Sequence, residues 1–289
     1  MNRKGIILAG GTGSRLFPST IAVSKHLLPI YNKPMIYYPI SVLMLAGIKE
    51  IAVICSPNDL DAYKRLLGDG KSFGLEFSYI IQKSPDGLAQ AYILSDEFLD
   101  GRPSALILGD NIFYGAGLIK MLSNANSKDK GGTIFGYQVN DPSNFGIIEL
   151  DGKKPLSIEE KPKNPKSNIA VTGLYFLDSN ASKFALEINP SERGELEITS
   201  LLDIYLKKQQ LSIEIMGRGF AWLDTGTYDN FLESSNFVKH IENRQGFNIA
   251  NIEEIAFNKG WITEDDLLKS AMKMSKTDYG KYLMKVLKK

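Results

Sequence analysis

Short, unbroken apolar runs mark the first half of the chain, and most stop at glycine or a polar residue. Ile6-Ile7-Leu8-Ala9 ends at Gly10-Gly11, residues 75–81 end at Gln82, and Ala105-Leu106-Ile107-Leu108 ends at Gly109-Asp110-Asn111; residues 51–55 form a fourth run. Continuous rather than alternating hydrophobicity over so few residues predicts strands buried on both faces. Between these runs the pattern becomes helical, over 34–47, 59–67, 88–98 and 117–126. The first of these segments opens on proline and closes on glycine, as helices prefer. Residues 133–139 read as a further strand.

Strands and helices in this alternation imply an α/β fold with a largely parallel sheet covered on both faces. Right-handed crossovers follow from strand twist. Ligands of such sheets gather at the carboxyl ends of the strands, near a switch point in the topology. Those ends here read Gly10-Gly11, Gln82 and Gly109-Asp110. In the second half, residues 147–150 and 157–160 read as a hairpin around Asp151-Gly152, 170–177 and 212–216 as strands, and 196–208 as a helix. From Thr227 the pattern is helical to a lysine-rich end. The expected division is a core of residues 1–226 and a helical C-terminal region of residues 227–289 that makes oligomer or regulatory contacts.

Composition narrows the function more than the fold. A chain of 289 residues that is 43% hydrophobic and 23% charged has an ordinary globular balance, so an ordered core is expected. The net charge of +1 gives no sign of a nucleic-acid or acidic-membrane partner. No run approaches a membrane-spanning length, and the first apolar run is too short for a signal peptide, so a soluble, unprocessed protein is expected. One cysteine, Cys55, lies in an apolar strand and reads as a core thiol. The absence of an internal disulfide fits a reducing cytoplasm.

Six segments carry candidate chemistry. In Leu8-Ala9-Gly10-Gly11-Thr12-Gly13-Ser14-Arg15-Leu16, glycines after a strand let backbone N–H groups approach a phosphate. The spacing is not that of a Walker A loop. Leu16 stands where a dinucleotide fingerprint needs its third glycine, which disfavours a nicotinamide-dependent oxidoreductase. Arg15 would grip a triphosphate and stabilise charge moving onto pyrophosphate, and Lys25 in Ser24-Lys25-His26 would add a second cation. Asp110 sits at a strand end, where magnesium would find a carboxylate ligand; Asp224 in Trp222-Leu223-Asp224-Thr225-Gly226 is either a second metal ligand or a turn residue ahead of a helix. Lys161, before Pro162, would hold a phosphate, and Glu160 would accept from sugar hydroxyls. Gln82 offers a donor and an acceptor to a pyrimidine edge, with Gly87 giving backbone access to the base. Each piece alone has an ordinary structural explanation; their joint presence, in order, points to a site for two anionic substrates.

At this point the chain resembles the glucose-1-phosphate thymidylyltransferases, through LAGGTGSRL (8–16), SKHLLPI (24–30), KPMIYYP (33–39), SPDGLAQA (84–91), LGDNIFYG (108–115), EEKPKNPKSN (159–168), VTGLYF (171–176), RGELEIT (193–199) and GRGFAWLDTGT (217–227). The resemblance implies a Rossmann-like nucleotidyltransferase fold with a mainly parallel mixed sheet and a helical C-terminal appendage. It implies dependence on Mg2+, transfer of dTMP from dTTP to glucose 1-phosphate, a homotetramer, and feedback by a deoxysugar nucleotide. By matching positions, Leu8, Gly10, Gly11, Gly13, Arg15, Lys25, Gln82, Gly87 and Asp110 resemble nucleotide contacts, with Arg15, Lys25, Lys161 and Asp110 as the catalytic set. Asp110 and Asp224 resemble the metal ligands. Asn111, Gly146, Glu160, Lys161, Val171 and Arg193 resemble the sugar-phosphate contacts, and Arg218 and Arg244 the regulatory pocket.

Three positions depart from the family pattern. Thr12-Gly13-Ser14 exchanges the hydroxyl residues of the loop, His26 replaces a glutamine near the triphosphate, and Ile119 replaces a polar residue near the regulatory pocket. Two rival functions remain on the same fold: a uridylyltransferase acting on the same sugar phosphate, and a non-catalytic sugar-nucleotide sensor. A sensor has no need of Arg15, Asp110, Lys161 and Asp224 together.

Overall fold

A computed structural model describes residues 3–288. The strands are β1 (Lys4–Ala9), β2 (Pro29–Ile30), β3 (Lys33–Pro34), β4 (Glu50–Cys55), β5 (Glu76–Ile81), β6 (Ser104–Leu108) and β7 (Asn111–Gly115). They continue as β8 (Gly132–Gln138), β9 (Gly146–Asp151), β10 (Lys154–Glu160), β11 (Ile169–Leu177), β12 (Leu211–Met216) and β13 (Phe220–Asp224). The main sheet runs β10-β9-β11-β6-β1-β4-β5, with β8 pairing both β11 and β12. The contiguous strands β6, β1, β4 and β5 are parallel, as are β12 and β8, while β11 enters antiparallel beside β6.

Side-chain alternation shows why the apolar runs are continuous. Ile7 of β1 faces one core and Ile6 the other; Ile107 and Leu106 of β6, and Val53 and Ile54 of β4, divide in the same way. With both faces covered, neither position of the two-residue repeat can be polar. The first face carries the helix Tyr37–Leu45 and, against the same core, Ile252, Ala256, Leu267, Ala271 and Leu283 of the three last helices. The C-terminal helices thus share the principal core with the sheet. The second face carries Gln90–Leu94, Ala181–Glu187 and Ile198–Lys207. A third cluster, with Ile30, Tyr38, Ile112 and Val238, seats the long helix Tyr228–Gln245.

Three details differ from the pattern read off the sequence. The helix expected from residue 34 begins at Tyr37, because Lys33–Pro34 pairs with Pro29–Ile30 in a small hairpin and the Lys33 ammonium is buried on Glu242 at 2.8 Å. The segment 88–98 splits at Ser95 into Gln90–Leu94 and Asp96–Leu99, which brings the Phe98 ring 4.5 Å from the Lys4 ammonium. Strands β7 and β13 were hidden inside chemistry-bearing segments. They form a separate antiparallel pair, with Asp224 opposite Asn111.

Candidate active site

The carboxyl ends of β1, β5 and β6 open into a cavity of about 510 Å³, whose walls come from residues 8 to 226. The parallel strands deliver Leu8, Gln82 and Asp110 to one rim, and the antiparallel β9–β11 region delivers Gly146, Glu160, Lys161 and Val171 to another. Arg15, Lys25, Gly87, Asn111, Arg193 and Asp224 also line it. This brings together the residues that the sequence analysis assigned to two substrates, apart from Gly10.

The glycine loop turns sharply at Gly13, whose φ of 63° lies in the left-handed region, and the Thr20 hydroxyl donates to its carbonyl at 2.7 Å. The turn exposes Arg15 while Leu16 anchors the loop in the core. Gly10 does not line the cavity, and a Cβ there would fall 2.0 Å from Gln82 Oε1, so its lack of a side chain makes room for that amide.

Asp110 and Asp224 meet because β13 folds back along β7. Thr225, next to Asp224, donates through its N–H at 3.2 Å and its hydroxyl at 2.9 Å to the Asp110 carbonyl. The Lys25 ammonium contacts the Asp110 carboxylate, and both side chains are 16% exposed. Burial alone would push the Asp110 carboxyl up, but the Lys25 charge and hydrogen bonds from Lys25 and Asn111 hold it below its ordinary value. Among the described residues Asp224 forms no ion pair, and only the Gly226 backbone N–H bonds its carboxylate. Burial, then repulsion from Asp110, pushes its carboxyl above the usual carboxylate range despite the opposing charges of Lys25 and Arg15.

Asn111 is positioned rather than free. Its Oδ1 accepts from Trp222 Nε1 at 2.7 Å and from the Gly173 N–H at 3.2 Å, which turns Nδ2 onto Asp110 Oδ1 at 3.0 Å. A Cβ on Gly173 would lie 2.5 Å from that same Oδ1. His26 is buried beside Lys25, and burial followed by the lysine charge pushes its pKa down to about 3, so the ring is neutral at neutral pH. Its Nδ1 is bonded to the Ser24 hydroxyl at 3.1 Å, which in turn meets Tyr63 at 2.9 Å.

At the other end, β10 finishes on Glu160 opposite Gly146 of β9. Lys161 follows with a φ of 44°, a left-handed conformation that is costly for lysine and more so before proline. Its N–H is held by the Phe145 carbonyl at 3.0 Å. Among the described residues no hydrogen bond or ion pair holds the Lys161 ammonium or the Arg15 guanidinium. Arg193, by contrast, sits among carboxylates, at 2.8 Å from Glu197 and 3.5 Å from both Glu160 and Glu195. Burial, then Glu197, pushes the Glu160 carboxyl up, and Thr199 donates to it at 3.2 Å.

Sequence reading missed Glu197, Thr199 and Trp222 as cavity residues, although RGELEIT and GRGFAWLDTGT contain them. Glu197 carries a charge but no distinguishing spacing, and Trp222 carries neither; they meet Arg193 and Asn111. Arg218 and Arg244 are exposed and lie outside the cavity. Cys55 is fully buried, as expected. Among the described residues no helix is long and apolar enough to cross a membrane.

Residues 4–241 match the family described as "Nucleotidyl transferase". A glucose-1-phosphate thymidylyltransferase of Neisseria meningitidis is 53% identical over 99% of this chain and 100% of its own length. Another from Mycolicibacterium smegmatis is 50% identical over 98% of this chain and 99% of its own. Among solved structures, one from Bacillus anthracis in complex with sucrose superposes with a TM-score of 0.75 at 40% identity, covering 81% of this chain and 94% of that one. A UDP-glucose pyrophosphorylase complexed with UDP-glucose superposes with a TM-score of 0.72 at 25% identity, over 83% of this chain and 100% of that one.

Proposed function

This chain belongs to the nucleotidyl transferase family, among the glucose-1-phosphate thymidylyltransferases, and on that premise we propose that it transfers dTMP from dTTP to glucose 1-phosphate, releasing pyrophosphate. The observation that carries the reading is the continuity of one cavity from Gln82 and the glycine loop, past Asp110 and Asp224, to Glu160, Lys161 and Arg193. A nucleoside triphosphate and a sugar phosphate laid along it would meet at the paired carboxylates.

A phosphate oxygen of glucose 1-phosphate attacks the α-phosphorus of dTTP in line with the departing pyrophosphate. A phosphate dianion needs no general base, so no catalytic histidine is required. The barrier is the approach of two polyanions, and the chain lowers it by positioning and by charge. Lys161, which lines the cavity and whose ammonium has no ion pair among the described residues, neutralises the sugar phosphate, with Arg193 beside it. Arg15 and Lys25 neutralise the triphosphate. Gln82 and Gly87 hold the base, and the raised Glu160 carboxyl binds sugar hydroxyls.

The two carboxylates suit a magnesium ion. Magnesium usually takes one or two protein carboxylates and completes its octahedron with water and phosphate oxygens. Burial, then repulsion from Asp110, pushes Asp224 up, and a dication held by these carboxylates would relieve that repulsion. When bound there, magnesium would supply charge neutralisation at the α-phosphate. A homotetramer, and feedback by a deoxysugar nucleotide near Arg218 and Arg244, follow from the family resemblance.

Incubation with dTTP and glucose 1-phosphate is expected to yield dTDP-glucose and pyrophosphate in equal amounts. Tight binding of both substrates without either product would instead favour a sensor. Because a methyl group in a pocket is worth only about 1–3 kcal/mol, UTP in place of dTTP is expected to give slower but measurable turnover.

A further inference from the structure

We propose that Asp86 and Gln90 set the nucleobase preference by fixing which end of the Gln82 amide faces the base; this rests on the placement of the base at Gln82. An amide cannot choose between donor and acceptor alone, since its oxygen and nitrogen ends have nearly the same shape. Gln90 is locked by two groups of fixed polarity. Its Oε1 accepts from the Asp86 backbone N–H at 3.2 Å, and its Nε2 donates to the Asp86 carboxylate at 2.7 Å. The Ser84 hydroxyl holds that carboxylate in place, at 2.7 and 2.8 Å from its two oxygens. A flipped Gln90 would set oxygen against carboxylate and amino group against N–H.

With Gln90 fixed, Gln82 must present Nε2 to it, at 2.6 Å. The Gln82 Oε1 is thereby turned to the glycine loop, where Gly10 leaves it space. It is buried at the cavity wall without a hydrogen-bond partner, on a residue 3% exposed. A buried acceptor in this state calls for a donor from a ligand. Thymine and uracil carry N–H at ring position 3. Cytosine carries a bare acceptor there, which would face oxygen with oxygen-like charge. The lock therefore favours thymine and uracil over cytosine and is blind to the thymine methyl.

Calorimetric titration of dTTP, UTP and dCTP into the full chain tests this. The wild type is expected to prefer dTTP over dCTP. Gln90→Leu is expected to reduce that preference about tenfold or more, with the ratio of dTTP to UTP held within about twofold. Asp86→Ala, at an exposed position that leaves the core intact, is expected to move the ratio the same way. The double variant Asp86→Asn with Gln90→Glu keeps an acceptor facing Gln82 and a donor facing residue 90, and is expected to restore the wild-type preference. A loss of fold would weaken all three nucleotides alike; only a loss of the lock changes their ratio. A wild type without preference for dTTP over dCTP, or an unchanged ratio in both single variants, would overturn the proposal. Preference for dTTP without formation of dTDP-glucose would count against the reaction and leave the base selection standing.

Discussion

Gly87 lies against Leu196 with no room for a side chain: a Cβ there would fall 2.4 Å from the Leu196 nitrogen, at a φ of +119°. Hydrogen bonds from Leu196 N to the Asp86 carbonyl at 2.7 Å and from Ala89 N to the Leu196 carbonyl at 3.0 Å close the contact. The loop after Gln82 is thereby stitched to the loop that holds Arg193 and Glu197. Two backbone hydrogen bonds thus tie the proposed base end of the cavity to the proposed sugar-phosphate end.

Gly87→Ala is accordingly expected to harm both ends. The strained φ and the backbone clash together should cost about 2 kcal/mol or more of stability. Steady-state kinetics should show KM rising for dTTP and for glucose 1-phosphate together. A rise confined to dTTP would mean that the two loops act independently.

Asp110→Asn is expected to leave the fold intact and to lower turnover about 10²–10³-fold, the loss typical of one electrostatic contact to a transition state. Circular dichroism checks the first half and pyrophosphate release the second. Turnover near that of the wild type would remove Asp110 from the chemistry.

Lys161→Ala is expected to raise KM for glucose 1-phosphate well above its effect on KM for dTTP, if the sugar phosphate lies beside it as proposed. The alanine keeps a Cβ at the same left-handed φ, so the strain persists and the ammonium is what is lost. Equal rises for the two substrates would place Lys161 elsewhere.

Asp224→Asn is expected to stabilise the metal-free protein while abolishing turnover. The Asp224 carboxyl is pushed up in the folded state by burial and by Asp110. A carboxyl with a raised folded value binds its proton more tightly in the folded than in the unfolded chain. Its cost to stability is therefore full above the raised value and fades as pH falls toward the unfolded value of about 4. Melting temperatures in chelator should thus be higher for the variant at neutral pH, by a few degrees for about 1 kcal/mol, and converge with the wild type in acid. A gap that widens in acid would contradict the sign of the shift.

The sheet and its ligand edge were legible because β1, β4 and β6 are buried on both faces, and burial of that kind leaves continuous apolar runs. The β7–β13 pair was not. Only Gly109 and Asp110 separate β6 from β7, so two strands read as one segment with a polar kink. The same holds for the site. Asp110 and Lys161 announce themselves by charge beside glycine or proline, and Arg15 by charge just after the glycine loop. Trp222 gives no such sign, since its part is to hold Asn111 Oδ1 at 2.7 Å from a strand more than a hundred residues away, and only the fold creates that contact. Gly10 shows the opposite case: its glycine was legible, but the room it leaves for Gln82 depends on a residue far along the chain.

In the proposed reaction the two anionic substrates meet directly in one cavity, with no group of the protein standing covalently between them. The configuration at the α-phosphorus tests it most directly. A single diastereomer of dTTP carrying sulfur on the α-phosphate, turned over with glucose 1-phosphate, should give product with inverted configuration. Retention would require two displacements and a nucleotidylated side chain, and would contradict the account.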